Sequence, residues 1–151
     1  MNRYDAGSEG DDAFEPGSGG LVLRNKLRIT DQGEMSVAES KALNAAFHKS
    51  IAEVTVDNRF NISLICDLHR WWLGDIYSFA GEFRTVNVNK GGILFAPVEH
   101  LHRSLANLDK VLSRNTPSKI QDEQPLVNAI CEVHSELVLV HPFREGNGRL
   151  G

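Results

Sequence analysis

The run His141-Pro142-Phe143-Arg144-Glu145-Gly146-Asn147-Gly148-Arg149 follows an apolar stretch, residues 125–140. There Leu126, Ile130, Val133, Leu137 and Val140 recur at helical spacing, and Val127, Val138 and Leu139 widen the stripe. A helix apolar on most sides is expected to be central and buried. Pro142 disfavours helical geometry in the residue before it, so the chain should leave the helix near His141. That puts His141 at the mouth of a loop, carried by the most buried helix of the fold.

The loop has the composition of an anion site. Gly146, Asn147 and Gly148 tolerate positive φ, so successive backbone N–H groups can turn inward as a nest. A helix starting after Asn147 or Gly148 would add positive dipole. Arg149 would sit in its first turn, where a guanidinium can grip a phosphate through two N–H groups. Glu145 would repel a bare phosphate; its charge makes sense beside a magnesium ion, which takes one or two carboxylates plus phosphate oxygens. His141 has the pKa type suited to taking a proton from a hydroxyl. Base, metal ligand, nest and arginine together describe phosphoryl or nucleotidyl transfer.

Working outward, a helix is expected over about residues 36–54, with Ala38, Leu43, Ala46, Phe47, Ile51 and Val54 on its apolar side. Ser36 and Glu39 have the spacing of a capping box, and Asp31-Gln32-Gly33 reads as a turn before it. Asn61-Ile62-Ser63 opens a second helix bearing Leu64, Ile65, Leu68, Trp71 and Trp72, which Gly74 ends. Residues 83–89 and 93–95, joined by Lys90-Gly91-Gly92, read as a β-hairpin. Pro97 suits the first position of a third helix carrying Val98, Leu101, Leu105, Leu108 and Leu112, and residues 115–118 form a loop. His134 is assigned a core role, packing or supporting the loop, and His69, His100 and His102 are assigned packing or solvated roles. H-x6-H-x3-E over His134, His141 and Glu145 is not a zinc spacing.

A length of 151 residues fits one domain with one sizeable core, and 41% apolar with 24% charged residues is ordinary for a globular chain. The net charge of −4 and the lack of a basic stripe argue against nucleic acid as a partner. Cys66 and Cys131 stand at no metal spacing and read as buried free thiols in a reducing compartment. Residues 1–20 are Gly-rich and acidic, the texture of a flexible arm rather than a signal peptide. No stretch is long and apolar enough to span a bilayer. The expected organisation is an arm over 1–20 and one domain over 21–151, cytoplasmic unless a specialised secretion system exports it.

His141 to Arg149 matches H-P-F-x-[D/E]-G-N-G-R, the motif of the Fic family (Fic/Doc superfamily), at every fixed position. The chain resembles that family over most of its length. Residues 23–27, 81–85 and 90–97 resemble the family's lead-in segment and its flap. The resemblance implies an all-α Fic core helical bundle with a small β-hairpin flap. It implies a protein adenylyltransferase that moves AMP from ATP to a Ser, Thr or Tyr hydroxyl of a target protein. His141 would be the base, and Glu145 would hold Mg2+. Gly146, Asn147, Gly148 and Arg149 would bind the nucleotide, together with Lys90 and Gly91 of the flap. Phe143 would anchor the loop. The target would pair with the flap, Lys90 to Phe95, by β-augmentation. The resemblance also brings bacterial toxin–antitoxin pairs and cell filamentation into view, with a separate antitoxin protein as a further partner.

The sequence stops at Leu150-Gly151, one residue before the motif's second arginine. The C-terminal helices of the core are therefore expected to be missing and the activity of this chain alone to be weak. The family's inhibitory [S/T]-x-x-x-E-[G/N] helix has no clean copy; Thr30 and Glu34 match only in part. The competing readings are a Fic-fold phosphotransferase, disfavoured by the intact G-N-G-R, and a catalytically silent binding module.

Overall fold

The computed structural model describes residues 14–90 and 92–151, with Lys90 described by its backbone alone. Among these residues five α-helices and one two-stranded hairpin follow in order: α1 (Gln32–Glu53), α2 (Ile62–Leu73), β1 (Asn89–Lys90), β2 (Ile93–Leu94), α3 (Val98–Arg114), α4 (Glu123–Val140) and α5 (Asn147–Leu150). A 3-10 turn, Pro117–Lys119, lies in the loop expected before α4. The fold is helical, as the spacing of apolar residues requires. No helix among the described residues is long and apolar enough to cross a membrane.

α1 begins earlier than the capping-box pattern suggested. Asp31 is the N-cap, and its carboxylate accepts from the Glu34 N–H at 2.8 Å, satisfying one donor that the helix itself cannot. Gly33 makes this approach easy, because a Cβ there would stand 3.1 Å from the Asp31 Oδ1. Asp31-Gln32-Gly33 is thus the start of the helix rather than a turn before it. The buried face is also rotated. Met35, Glu39 and Ala46 are buried, with Ala38, Ala42 and Leu43 against the same core, while Phe47 and Ile51 stay exposed.

α2 follows the sequence closely. Asn61 accepts from the Leu64 N–H at 3.1 Å, and Gly74 is the C-cap. The Ile62 N–H donates to Asp109 at 2.8 Å, which ties the start of α2 to α3. In the hairpin, Asn89 pairs with Leu94 and Lys90 with Ile93. The strand is much shorter than the alternation over 83–89 suggested, because Arg84 draws that segment onto the end of α4. Pro97 is the N-cap of α3, not its first residue.

The apolar interior has two lobes. One joins α1, α2 and the segment after it through Met35, Ala46, Trp72, Leu73, Ile76, Tyr77 and Ala80. The other joins α2, α3 and α4 through Ile65, Leu101, Leu108, Leu112, Leu137, Val140 and Phe143. Leu150 packs against both. α4 is less central than its composition implied. It packs along α3 and buries Ala129, Leu137 and Val140, whereas Val127, Ile130 and Leu139 on its other side are exposed.

Of the expected arm, residues 1–13 lie outside the described residues. Phe14 to Gly20 is a packed turn rather than a loose tail. Phe14 bridges Leu23, and the buried Glu15 carboxylate accepts from the Asn25 N–H at 3.0 Å and faces Arg28 at 3.5 Å.

Asp31→Ala removes the α1 cap and should lower stability by about 1 kcal/mol. Ser36→Ala should leave the urea midpoint within experimental scatter; the reverse order of effects would restore the capping-box assignment.

Candidate active site

α4 ends at His141, which takes left-handed geometry at φ 51° and ψ 58° while its N–H still reaches the Leu137 carbonyl at 3.0 Å. The reversal throws the chain into the loop at once. The His141 Nδ1 lies 3.0 Å from the Val138 carbonyl. A carbonyl only accepts, so Nδ1 carries the proton and Nε2 is the basic nitrogen. The Phe95 ring, just after β2, stacks on the imidazole with centroids 3.6 Å apart, and His141 is buried.

Arg84 braces the same residue from behind. Its Nε donates to the His141 carbonyl at 2.7 Å, Nη1 to the Val86 carbonyl at 2.8 Å, and Nη2 to the carbonyls of Ala96 and Val140. The Arg84 N–H adds a bond to the Pro142 carbonyl at 2.9 Å. A cation here meets carbonyls that the end of a helix leaves without partners. Burial lowers its pKa from the ordinary arginine value. One side chain therefore joins the end of α4 to both flanks of the flap.

The loop is closed internally. Phe143 is fully buried; its N–H donates to the Asn147 Oδ1 and its carbonyl accepts from the Asn147 Nδ2, both at 2.8 Å. The Asn147 side chain is thus committed to the loop, and what it offers outward is backbone. Arg144 is also buried. The Glu145 Oε1 accepts from the Gly146 N–H at 2.8 Å and lies 3.3 Å from the Arg149 Nη2. Gly146 takes φ +84°, and a Cβ there would stand 2.7 Å from the Trp72 Cζ3.

His69 on α2 fastens the loop from below. It is fully buried, stacked on Phe143 at 3.9 Å, accepts from the Gly81 N–H on Nδ1 at 2.8 Å, and donates from Nε2 to the Glu145 carbonyl at 3.1 Å. The Nδ1 contact needs the neutral ring, and burial lowers its pKa to about 4.

Arg149 projects from α5 onto the face of Trp72, 4.7 Å from the ring centroid, and its Nη2 meets the Glu39 Oε2 at 2.7 Å. Its side chain is one third exposed (33%), whereas residues 141–147 are buried. Burial alone would lower the Arg149 pKa, but Glu39 and Glu145 outweigh it and raise it.

The structure therefore brings His141, Glu145, Gly146, Asn147, Gly148 and Arg149 onto one loop at the end of α4. The Lys90 side chain and Gly91 lie outside the described residues. His134 is exposed rather than packed. No cluster of three or more metal-ligating side chains occurs among the described residues; both cysteines are free, but Cys66 is only half-buried and Cys131 is exposed rather than buried. Sequence reasoning missed Arg84, His69, Tyr77 and Glu39, and placed Phe95 only at the end of the flap. Only Glu39 left a signal, an acidic residue in register with Met35, Leu43 and Ala46.

The family model described as Fic/DOC family matches residues 59–151. The chain belongs to the Fic/DOC family. Its Fic relatives include the probable protein adenylyltransferase y4lH of Sinorhizobium fredii, 29% identical over 99% of this chain and 74% of that protein. The protein adenylyltransferase VbhT of Bartonella schoenbuchensis is 27% identical over 99% of this chain, which spans only 30% of VbhT. Among solved structures, the N-terminal Fic domain of a Bartonella effector protein (Bep) from Bartonella sp. AR 15-3 superposes with a TM-score of 0.77 at 21% identity, covering 91% of this chain and 66% of that one. The BepC protein of Bartonella tribocorum, solved with bound AMPPNP, gives a TM-score of 0.76 at 20% identity over 91% of this chain and 71% of that one. These likenesses fix the Fic fold.

Two measurements test this account of the loop. The His69 pKa is lower folded than unfolded, so the unfolded chain binds the extra proton first. The stabilisation is complete above about pH 6.5 and is lost as pH falls toward 4, a change on the order of 3 kcal/mol. His69→Asn should flatten that slope in urea titrations run across the interval. Gly146→Ala forces a Cβ onto Trp72 at positive φ and should cost about 2 kcal/mol, read as a lower thermal midpoint.

Proposed function

We propose that the chain is the core of a protein adenylyltransferase that moves AMP from ATP to a Ser, Thr or Tyr hydroxyl of a target protein, as y4lH and VbhT are named. The observation that carries this reading is the state of His141. Its Nδ1 is held by the Val138 carbonyl, so the basic Nε2 belongs to a ring fixed by Phe95 and by Arg84 on its carbonyl. A base fixed in one tautomer at the mouth of a glycine-rich loop suits proton transfer from a hydroxyl.

In this reading, His141 Nε2 takes the hydroxyl proton as the target oxygen bonds to the α-phosphorus of ATP. The bond from that phosphorus to the bridging oxygen breaks, and pyrophosphate leaves. The first-turn N–H groups of Asn147 and Gly148 have no acceptor within α5 and are available to phosphate oxygens, Arg149 holds a more distal phosphate, and Gly146 gives the loop its turn. Lys90 and Gly91 of the flap complete the nucleotide side. Glu145 fits Mg2+: it is a buried carboxylate on the glycine-bearing loop, and this ion takes few carboxylates when phosphate oxygens supply other ligands. When bound, the ion would offset phosphate charge; Glu145 would hold it.

The target would add a strand to the hairpin between Lys90 and Phe95. Exposure of Ile93 (62%) and Leu94 (80%) supports this, since short edge strands with bare apolar side chains suit backbone pairing. A separate antitoxin, a role in cell filamentation and a cytoplasmic site, or export by a secretion system, belong to the same proposal.

The test uses the protein in its full natural length, magnesium, a cell lysate, and ATP labelled on either the α- or the γ-phosphate. Label from the α-position should appear on protein and disappear, by at least about a hundredfold, in His141→Ala. Label from the γ-position alone would replace nucleotidyl transfer by phosphate transfer. No label from either, with ATP still bound, would leave a silent binding module.

A further inference from the structure

Glu39 is a carboxylate in the middle of α1, only 2% exposed. Such a group is costly unless every lone pair has a partner. Here each oxygen has one. Oε1 accepts from the Tyr77 hydroxyl at 2.7 Å, and Oε2 takes the Arg149 Nη2 at 2.7 Å. The Glu39 carbonyl also accepts from the Trp72 Nε1 at 2.9 Å, and the same indole lies under the Arg149 guanidinium. Two residues of the first lobe thus form a seat for one side chain of the loop, 110 residues away in sequence. Burial and the neighbouring Glu39 charge both raise the Tyr77 pKa, so its hydroxyl remains a donor.

The seat occupies only part of the guanidinium. Both carboxylates, Glu39 and Glu145, meet the same nitrogen, Nη2. No hydrogen bond from Nη1 or Nε is made among the described residues, and the side chain as a whole is one third exposed. A guanidinium held by one edge and one face keeps its other edge aimed, and little rotamer freedom is left to lose when an anion binds.

We propose that Glu39, steadied by Tyr77, is a positioning residue for nucleotide binding: it fixes the Arg149 fork so that its outer edge meets a phosphate of ATP. This role rests on the phosphate contact of Arg149 put forward above. It opposes the simple electrostatic expectation, in which removing a negative charge near an anionic ligand tightens binding.

The measurement is the affinity of the full-length protein for non-hydrolysable ATP with magnesium, by calorimetric titration, alongside KM and kcat for ATP where transfer is followed. Glu39→Gln should weaken binding and raise KM by about tenfold, with a smaller change in kcat. Tyr77→Phe, which keeps the ring and removes one donor, should weaken it in the same direction by less, and it serves if Glu39→Gln does not fold. In an Arg149→Lys background the Glu39→Gln effect should largely vanish, which a merely structural role would not produce. Unchanged or tighter binding in Glu39→Gln overturns the proposal, as does an equal loss in both backgrounds. An unsubstituted protein that binds no ATP overturns the proposed function, and this role with it.

Discussion

The carboxamide of Asn147 holds Phe143 by both its N–H and its carbonyl, and the rest of the site is built on that closure. It converts a glycine-bearing stretch into a ring of fixed shape without help from a sheet or a long helix. With Phe143 buried among Ile65, Leu101, Leu137 and Val140, the ring is anchored in the second lobe of the core. The loop then cannot move without opening apolar contacts, and the backbone groups around Gly146 are set before any ligand arrives. That is the physical meaning of preorganisation: ordering is completed during folding, so binding does not have to supply it.

Around this ring, long-range polar contacts divide the work by position. Arg84 collects carbonyls from the end of α4 and from both flanks of the hairpin, so the orientation of His141 and the placement of the flap are one structural variable. His69 joins the carbonyl of Glu145 to Gly81, linking the underside of the loop to the segment that leads into Arg84. Glu39 and Trp72 hold the far end through Arg149. Arg84, His69, Glu39 and Trp72 are all buried, where polar contacts are worth most and where a missing partner is most costly.

The sequence made the helices legible where local chemistry decided them. Asn61 and Gly74 bound α2 because a side-chain cap and a glycine stop act over three or four residues. The loop after α4 was legible for the same reason, since Pro142 and Gly146 act on their own backbone. α1 was misread at its start because Ser36 and Glu39 mimic a capping box, whereas Asp31, with Gly33 leaving room beside it, caps the helix one turn earlier. The hairpin was overextended because β-prone alternation over 83–89 carries no sign that Arg84 is taken by His141. The register of Glu39 marks only that it faces the core; contacts across 57 or 110 residues leave no periodic trace, so the partners of Arg84 and Glu39 could be placed only by the fold.

Trp72 shows why such contacts gather where they do. Its indole fills the first lobe, its Nε1 reaches the Glu39 carbonyl, its ring face lies under Arg149, and its edge excludes any side chain at Gly146. A large rigid ring with one polar atom can satisfy packing, hydrogen bonding and cation contact at once, which no aliphatic residue can. The glycine required for the turn of the loop is therefore required a second time by its neighbour. Positive φ alone could be met by asparagine at modest strain; the close approach of Trp72 removes that option. Backbone conformation and side-chain packing converge on the same residue, and the position of Arg149, three residues on, inherits the rigidity of both.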